Sequence, residues 1–171
     1  YYPYWSPDST KIAYFDWGSP RNTPPNWMLY VVDAVRGTPR YIMDWQDPRF
    51  GSPRWSLDST RLLFSRSENG DYDIFTIDAD GTNLTNLTQR IGWDSYPIWS
   101  PDGSQIAYHA QAADGSTAAM VMNADGSNPK KLNDNIPPGL IAWLPDPKTW
   151  NPPVPECFIR STSEINIRAG A

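Results

Sequence analysis

The sequence has little of several residue types on which common functions depend. Of its 171 residues one is cysteine and one is histidine, and the 14 lysines and arginines form no run among 19 acidic residues. The lone Cys157 has no partner in this chain for a disulfide. The formal charge of −5 and the lack of a basic stripe argue against a nucleic-acid partner, because polyanions are bound through clustered cations.

Long apolar runs are also missing. No stretch approaches the roughly 20 apolar residues of a membrane-spanning helix, so we predict no membrane insertion. The first residues, YYPYW, lack a charged start and an apolar signal segment, and they begin inside a repeat unit. We therefore expect a piece of a longer protein, although 39% hydrophobic residues are enough for a folded core.

A repeat is the most informative feature that is present. The ten residues 99–108, WSPDGSQIAY, return as WSPDSTKIAY at 5–14 and WSLDSTRLLF at 55–64, and a degraded copy begins at Trp143. The steps between the tryptophans are 50, 44 and 44 residues, which is the length of one four-stranded propeller blade. A longer loop at 15–26 accounts for the first step.

Each unit alternates strand and turn signals and has no helical period. In the third unit, strands are predicted at 97–99 and 105–108 on either side of the turn Ser-Pro-Asp-Gly, whose residues are explained by turn geometry without a ligand. A third strand, a second turn and a short outer strand follow. The pattern predicts an all-β β-propeller segment of three four-stranded antiparallel blades plus the first strand of a fourth.

The recurring tryptophans have two interpretations. They could form a carbohydrate-binding aromatic ladder, but we expect them to fill the gap between neighbouring blades, because each stands at the same point of its unit. These repeat residues are Trp5, Trp55, Trp99 and Trp143.

Composition divides the chain into three regions. We place the propeller at 1–146, the linker at 147–156, which is rich in proline, and the truncated start of a possible second β domain at 157–171. Within the propeller the predicted blades are 1–43, 44–89, 90–133 and a partial blade at 134–146. Three blades do not close a ring, so we expect the remaining blades of a longer chain, or self-association, to cover the end blades.

Two motifs carry a family resemblance. The signals WSPDGxxIAY and DADGxNxxxLT resemble the TolB-type repeat of bacterial β-propellers, a relative of the WD-repeat class, over about residues 1–146. The departures are Leu57 in place of proline, and Ser9 and Ser59 in place of glycine. The segment 157–170 is similar to the start of a bacterial Src-homology-3-like domain. Together the resemblances imply a protein or peptide partner and a periplasmic or extracellular location in bacteria.

Catalytic signatures are sparse. The spacing of residues does not exclude a Ser-His-Asp triad that contains His109, but a surface or capping role for this histidine is simpler. The sequence has no nucleophile elbow, no zinc-spaced histidine pair and no phosphate-binding glycine-rich loop. The turn at 78–83 lacks the bidentate glutamate of a calcium loop. We therefore predict no catalytic residues, metal or cofactor.

The blade topology predicts a binding face. The loops between second and third strands and the connections between blades lie at one end, where aromatic and arginine side chains on a rigid scaffold are typical of recognition. The candidates are Trp17, Arg21, Trp45, Arg49, Phe50, Arg66, Trp93, Asp94, Tyr96 and His109. Glu68 lies in the same predicted loop as Arg66. Trp45 and Trp93 could instead simply cover the blade edges.

Three functions remain open from the sequence. We favour a non-catalytic module of a larger bacterial envelope or secreted protein that binds a protein or peptide. The alternatives are the substrate-gating propeller of a prolyl-oligopeptidase-type hydrolase whose catalytic domain lies outside this sequence, and a carbohydrate-binding propeller.

Overall fold

The first repeat unit forms a four-stranded antiparallel sheet in a computed structural model of the chain. Its strands, in order across the sheet, are β1 (Tyr4–Trp5), β2 (Lys11–Gly18), β3 (Asn26–Asp33) and β4 (Pro39–Trp45). In β2, Ala13 and Phe15 are buried, because alternate side chains of a strand lie on the same face.

The second and third units repeat this order. Their strands are β5 (Arg54–Trp55), β6 (Arg61–Glu68), β7 (Asp71–Asp78), β8 (Thr85–Asn86), β9 (Trp93–Trp99), β10 (Gln105–Gln111), β11 (Thr117–Asn123) and β12 (Lys130–Asp134). A further strand, β13 (Ile141–Leu144), opens the next unit. The prediction of three blades and the first strand of a fourth is confirmed.

The structure describes residues 3–18, 26–45, 52–68, 70–135, 137, 139, 141–144 and 165–168. Within these ranges every regular element is a strand. None of these residues therefore belongs to a helix long and apolar enough to cross a membrane.

A repeated hydrogen-bond pattern holds the turn between the first two strands of each blade. In the third blade, Ser100 Oγ accepts the Gln105 N–H at 2.9 Å and donates to Asp102 Oδ1 at 2.6 Å. The same bonds occur at Ser6 and Ser56. Ser9 and Ser59, which stand where the repeat has glycine, both have φ of 59°, so the turn keeps its left-handed backbone despite the substitution.

Apolar clusters lie between successive blades. Phe15 and Trp45 of the first blade pack against Phe64 of the second. Leu63 of the second blade packs with residues of the third such as Ile106, and smaller residues of the third blade contact β13. Each blade thus buries a face against the next, as expected for a propeller.

The repeat tryptophans connect neighbouring blades. Trp55 Nε1 donates to the Tyr4 carbonyl at 2.8 Å, and Trp99 Nε1 donates to the Arg54 carbonyl at 3.3 Å. Trp143, in β13, packs against the cluster formed by Ala107, Ala119 and Ile141. Its buried Nε1 has no hydrogen-bond acceptor among the described residues.

The expectation that each repeat tryptophan fills the gap between neighbouring blades does not hold for Trp5, which is 56% exposed. Its neighbour Tyr4 packs against the cluster shared with the second blade. Successive side chains of a strand point to opposite faces, so Trp5 lies on the face of the first blade turned away from the second.

Two pairings were not anticipated. Tyr72 of β7 pairs in parallel with Trp93 of β9, which joins the second and third blades into one sheet. The strand β14 (Ile165–Arg168) pairs in parallel with β13. The backbone of this tail segment thus extends the fourth unit, and a second β domain at 157–171 stays a prediction.

Candidate functional site

Two aromatic pairs lie at the end of the blades where β2 meets β3 and where one blade connects to the next; we call this end the loop-end face. Trp17 and Trp27 pair across β2 and β3, with ring centroids 5.3 Å apart in an edge-to-face arrangement. Tyr72 and Trp93 form a similar pair at 5.5 Å. Trp17 and Trp93 are about half exposed, at 49% and 48%, and therefore offer aromatic surface on rigid strands.

Tyr96, three residues after Trp93 in β9, has a strained backbone. Between β9 and β10 the register shifts, so that Tyr96 and Pro97 stand opposite the single residue Tyr108, which is a β-bulge. Tyr96 has a φ of 53° and a 44% exposed side chain. A bulky residue in the left-handed region costs about 1–2 kcal/mol, and such strain is concentrated at functional sites.

A pocket of about 230 Å³ adjoins Tyr96. Its polar lining comes from Ser52 and Arg54, and its apolar lining includes Ile98 and Ile141. Ser52 Oγ accepts a hydrogen bond from the Tyr4 hydroxyl at 2.9 Å. The pocket thus combines a cationic residue, an aromatic residue and apolar side chains.

Three of the predicted site residues are buried and do not reach this surface. Trp45 is 4% exposed and packs between Phe15 and Phe64. His109 is 3% exposed, with Nδ1 3.5 Å from Ser95 Oγ. Asp94 is fully buried. The interpretation of Trp45 as a residue that covers a blade edge fits its position better than a binding role.

Asp94 instead connects the end of the second blade to β9. Arg90 donates to both of its carboxylate oxygens, and burial raises the pKa of Asp94 against the opposing effect of this cation. Nearby, Thr88 Oγ1 donates to Asp73 and accepts the Ile74 N–H. These bonds hold the inter-blade connection close and bring Trp93 beside Tyr72.

The remaining predicted residues divide into two groups. Arg66 is half-buried, with its guanidinium carbon 5.9 Å from the centre of the Phe75 ring. Arg21, Arg49 and Phe50 lie outside the described residues.

Sequence reasoning missed Trp27, Tyr72, Ser52 and Arg54. Counting the hairpin register back from the second turn would have placed Trp27 opposite Trp17. The pocket residues had no such signal, because they meet through packing of different blades. Among the described residues, no three metal-ligating side chains converge.

The stacked four-stranded units and their inter-blade tryptophans define a β-propeller protein. A family model described as the TolB beta propeller domain matches residues 2–138, and the chain belongs to this family.

Relatives of known structure and sequence agree with this assignment. The Tol-Pal system protein TolB of Francisella tularensis subsp. mediasiatica (strain FSC147) is 24% identical over 128 residues, which is 74% of this chain and 29% of that protein. The crystal structure of TolB from Acinetobacter baumannii matches with 27% identity and a TM-score of 0.59 over 76% of this chain and 31% of its own. The chain thus spans about 30% of the length of these relatives.

The same fold occurs in an enzyme. A structure of a puromycin hydrolase variant matches with a TM-score of 0.58 and 15% identity over 75% of this chain and 21% of its own. This likeness concerns the fold alone.

Proposed function

We propose that this chain is a non-catalytic module that binds a protein or peptide partner on its loop-end face, within a larger bacterial protein that works in the periplasm or outside the cell. The observations that carry the proposal are the strained backbone and half-exposed side chain of Tyr96 and the half-exposed rings of Trp17 and Trp93. Large aromatic side chains supply most of the binding energy in protein interfaces.

The scaffold around these side chains supports a binding role. The aromatic pairs stand on paired strands and the bulge is fixed by the ladder on both sides. Such a surface needs little ordering when a partner binds, which lowers the entropic cost of association. Similarity to TolB proteins of the Tol-Pal system supports a protein or peptide as the partner class and a bacterial envelope setting.

A peptide library displayed on phage and selected on the whole chain would test the proposal. We expect selected peptides to bind at least about fivefold more weakly to Trp17→Ser, Trp93→Ser and Tyr96→Asn variants, since truncation of an interface aromatic residue costs more than about 1 kcal/mol. Asparagine tolerates the left-handed backbone at position 96, so this variant tests the ring and not the fold.

The matched control is Leu57→Ser, because Leu57 is 58% exposed on the turn between β5 and β6, at the other end of the blade. Peptide binding that is unchanged by the three loop-end substitutions would contradict the proposal. So would a glycan array that gives ligands when the peptide selection gives none, which would favour the carbohydrate-binding alternative.

A second candidate is a substrate-gating propeller of a larger hydrolase, since the same fold occurs in a puromycin hydrolase. The sequence of the full-length gene separates the two. An α/β-hydrolase domain with a nucleophile elbow in the same protein would favour the gating role, whereas a complete Src-homology-3-like domain after residue 157 would favour envelope binding.

A further inference from the structure

A groove of about 750 Å³ lies between the first and second blades at the end opposite the loop-end face; we call this end the turn end. The first blade lines it with Lys11, Arg36 and Arg40, and the second blade with Ser59 and Thr60. The carboxylates of Asp33, Asp78 and Asp80 also line it, so three cations and three carboxylates share this groove.

Arg36 is a departure of the first blade from its own repeat. The β3–β4 turn reads Asp-Ala-Val-Arg-Gly in the first blade, whereas the corresponding turns read Asp-Ala-Asp-Gly and Asn-Ala-Asp-Gly in the second and third. Val35 thus stands in place of Asp80 and Asp125. The hydrogen bond that closes the turn also differs, since Gly37 N–H donates to the Asp33 carbonyl, four residues back, while Gly81 donates three residues back to Asp78.

The fold does not require these arginines. The second blade forms the same strand pair with Thr85, opposite Thr76, where the first blade has Arg40, opposite Val31. The third blade has Lys130 at the position of Arg40, opposite Val121, so Arg36 alone breaks the pattern of the repeat. A break without a structural need marks a position where function is expected.

The two guanidinium groups are available to a ligand. Among the described residues, neither Arg36 nor Arg40 has a side-chain hydrogen bond, and each acts only electrostatically on a nearby carboxylate, Asp33 and Asp80 respectively. Those carboxylates are already engaged. Asp33 accepts the N–H groups of Val35 and Arg36, and Asp80 accepts both the N–H and the hydroxyl of Thr82.

We propose that this turn-end groove binds an acidic peptide segment of a protein partner, with Arg36 and Arg40 each pairing with a carboxylate of that segment. A guanidinium donates two parallel hydrogen bonds to a carboxylate. The fixed carboxylates in the groove wall disfavour a doubly charged phosphate more than a singly charged carboxylate, and the hydroxyl of Thr38 can donate to a peptide carbonyl.

Fluorescence anisotropy of the whole chain with labelled hexaglutamate tests the proposal, with hexaglutamine as the uncharged probe. We expect hexaglutamate to bind and hexaglutamine not to bind, and the affinity to fall as salt is raised. Arg36→Gln and Arg40→Gln should each weaken binding several-fold, and together by about tenfold or more, which corresponds to the loss of one or two charge-assisted hydrogen bonds.

Lys130→Gln is the matched control, because Lys130 is exposed and pairs with Val121 of the third blade as Arg40 pairs with Val31 of the first. All three substituted side chains are exposed, so the variants should keep the wild-type circular dichroism. Failure of hexaglutamate to bind, or equal weakening by Lys130→Gln, would overturn the proposal.

Inorganic phosphate and acetate as competitors separate the two kinds of anion. Displacement of hexaglutamate by phosphate at concentrations where acetate has no effect would assign the groove to phosphate ligands and overturn the peptide. Because this groove is remote from Tyr96, the loop-end variants should bind hexaglutamate normally, and failure here leaves the proposed function standing.

Discussion

Asp102 shows, at the residue scale, how one side chain organises a blade. Its carboxylate accepts hydrogen bonds from the Ser100 hydroxyl and from the N–H and hydroxyl of Ser104. These bonds lower the pKa of Asp102 from 3.8 to about 2, and similar bonds lower the pKa values of Asp8 and Asp58. The Asp of the repeat is therefore explained by the turn, and needs no ligand.

The pH dependence of stability follows from this lowered pKa. A carboxylate whose pKa is lower in the folded than in the unfolded state stabilises the fold above the unfolded value, and that contribution is lost as the pH falls from about 4 towards 2. Asp102→Asn should reduce the unfolding midpoint in urea near pH 7, and the difference from wild type should shrink towards pH 2. A constant difference at all pH values would contradict this origin.

At the scale of single elements, Gly92 sets how closely the connection into β9 approaches β10. Its φ is +118°, and a Cβ built there would lie 2.1 Å from the carbonyl oxygen of Gln111. Trp93 pairs with Gln111 and with Tyr72, so this close approach holds one of the two aromatic pairs of the loop-end face.

Gly92→Ala should therefore lower the free energy of unfolding by more than about 2 kcal/mol. The alanine would adopt a strained φ, and the backbone at Gln111 or at position 92 would also have to move to make room for the Cβ. Gly115→Ala is the control, since Gly115 has a φ of +82° with nothing within 4 Å of the added Cβ, and it should cost only about 1 kcal/mol. Equal losses in urea titrations of the two variants would mean that the steric contact is unimportant.

For the whole molecule, the stacking of blades is the property on which every other feature depends. The buried Trp55 and the exposed Trp5 occupy the same position of the repeat. Trp55 donates to the Tyr4 carbonyl of the preceding blade, whereas Trp5 has no described blade before it.

Replacement of these two tryptophans by phenylalanine compares the same chemistry with and without a neighbouring blade. Trp55→Phe should lower the free energy of unfolding by about 1–3 kcal/mol, because the partly buried Tyr4 carbonyl loses its donor. Trp5→Phe should change it by less than about 0.5 kcal/mol. Thermal and urea unfolding would measure both, and a larger effect at Trp5 would show that its face is covered in solution.

The sequence was sufficient for the architecture. The tryptophan period, the turn residues and the alternation of apolar residues depend on local geometry, which repeats with the chain. They predicted the three blades and the first strand of the fourth, whereas the binding face stays a prediction.

Only the tertiary structure decided which side chains of that face reach the surface. Trp45, Asp94 and His109 stand in strands or connections whose exposure depends on the neighbouring blade, and packing there buries them. Likewise, Ser52 meets Tyr96, and Arg40 meets Thr60, across gaps between blades. Such contacts join residues far apart along the chain, and no local pattern encodes them.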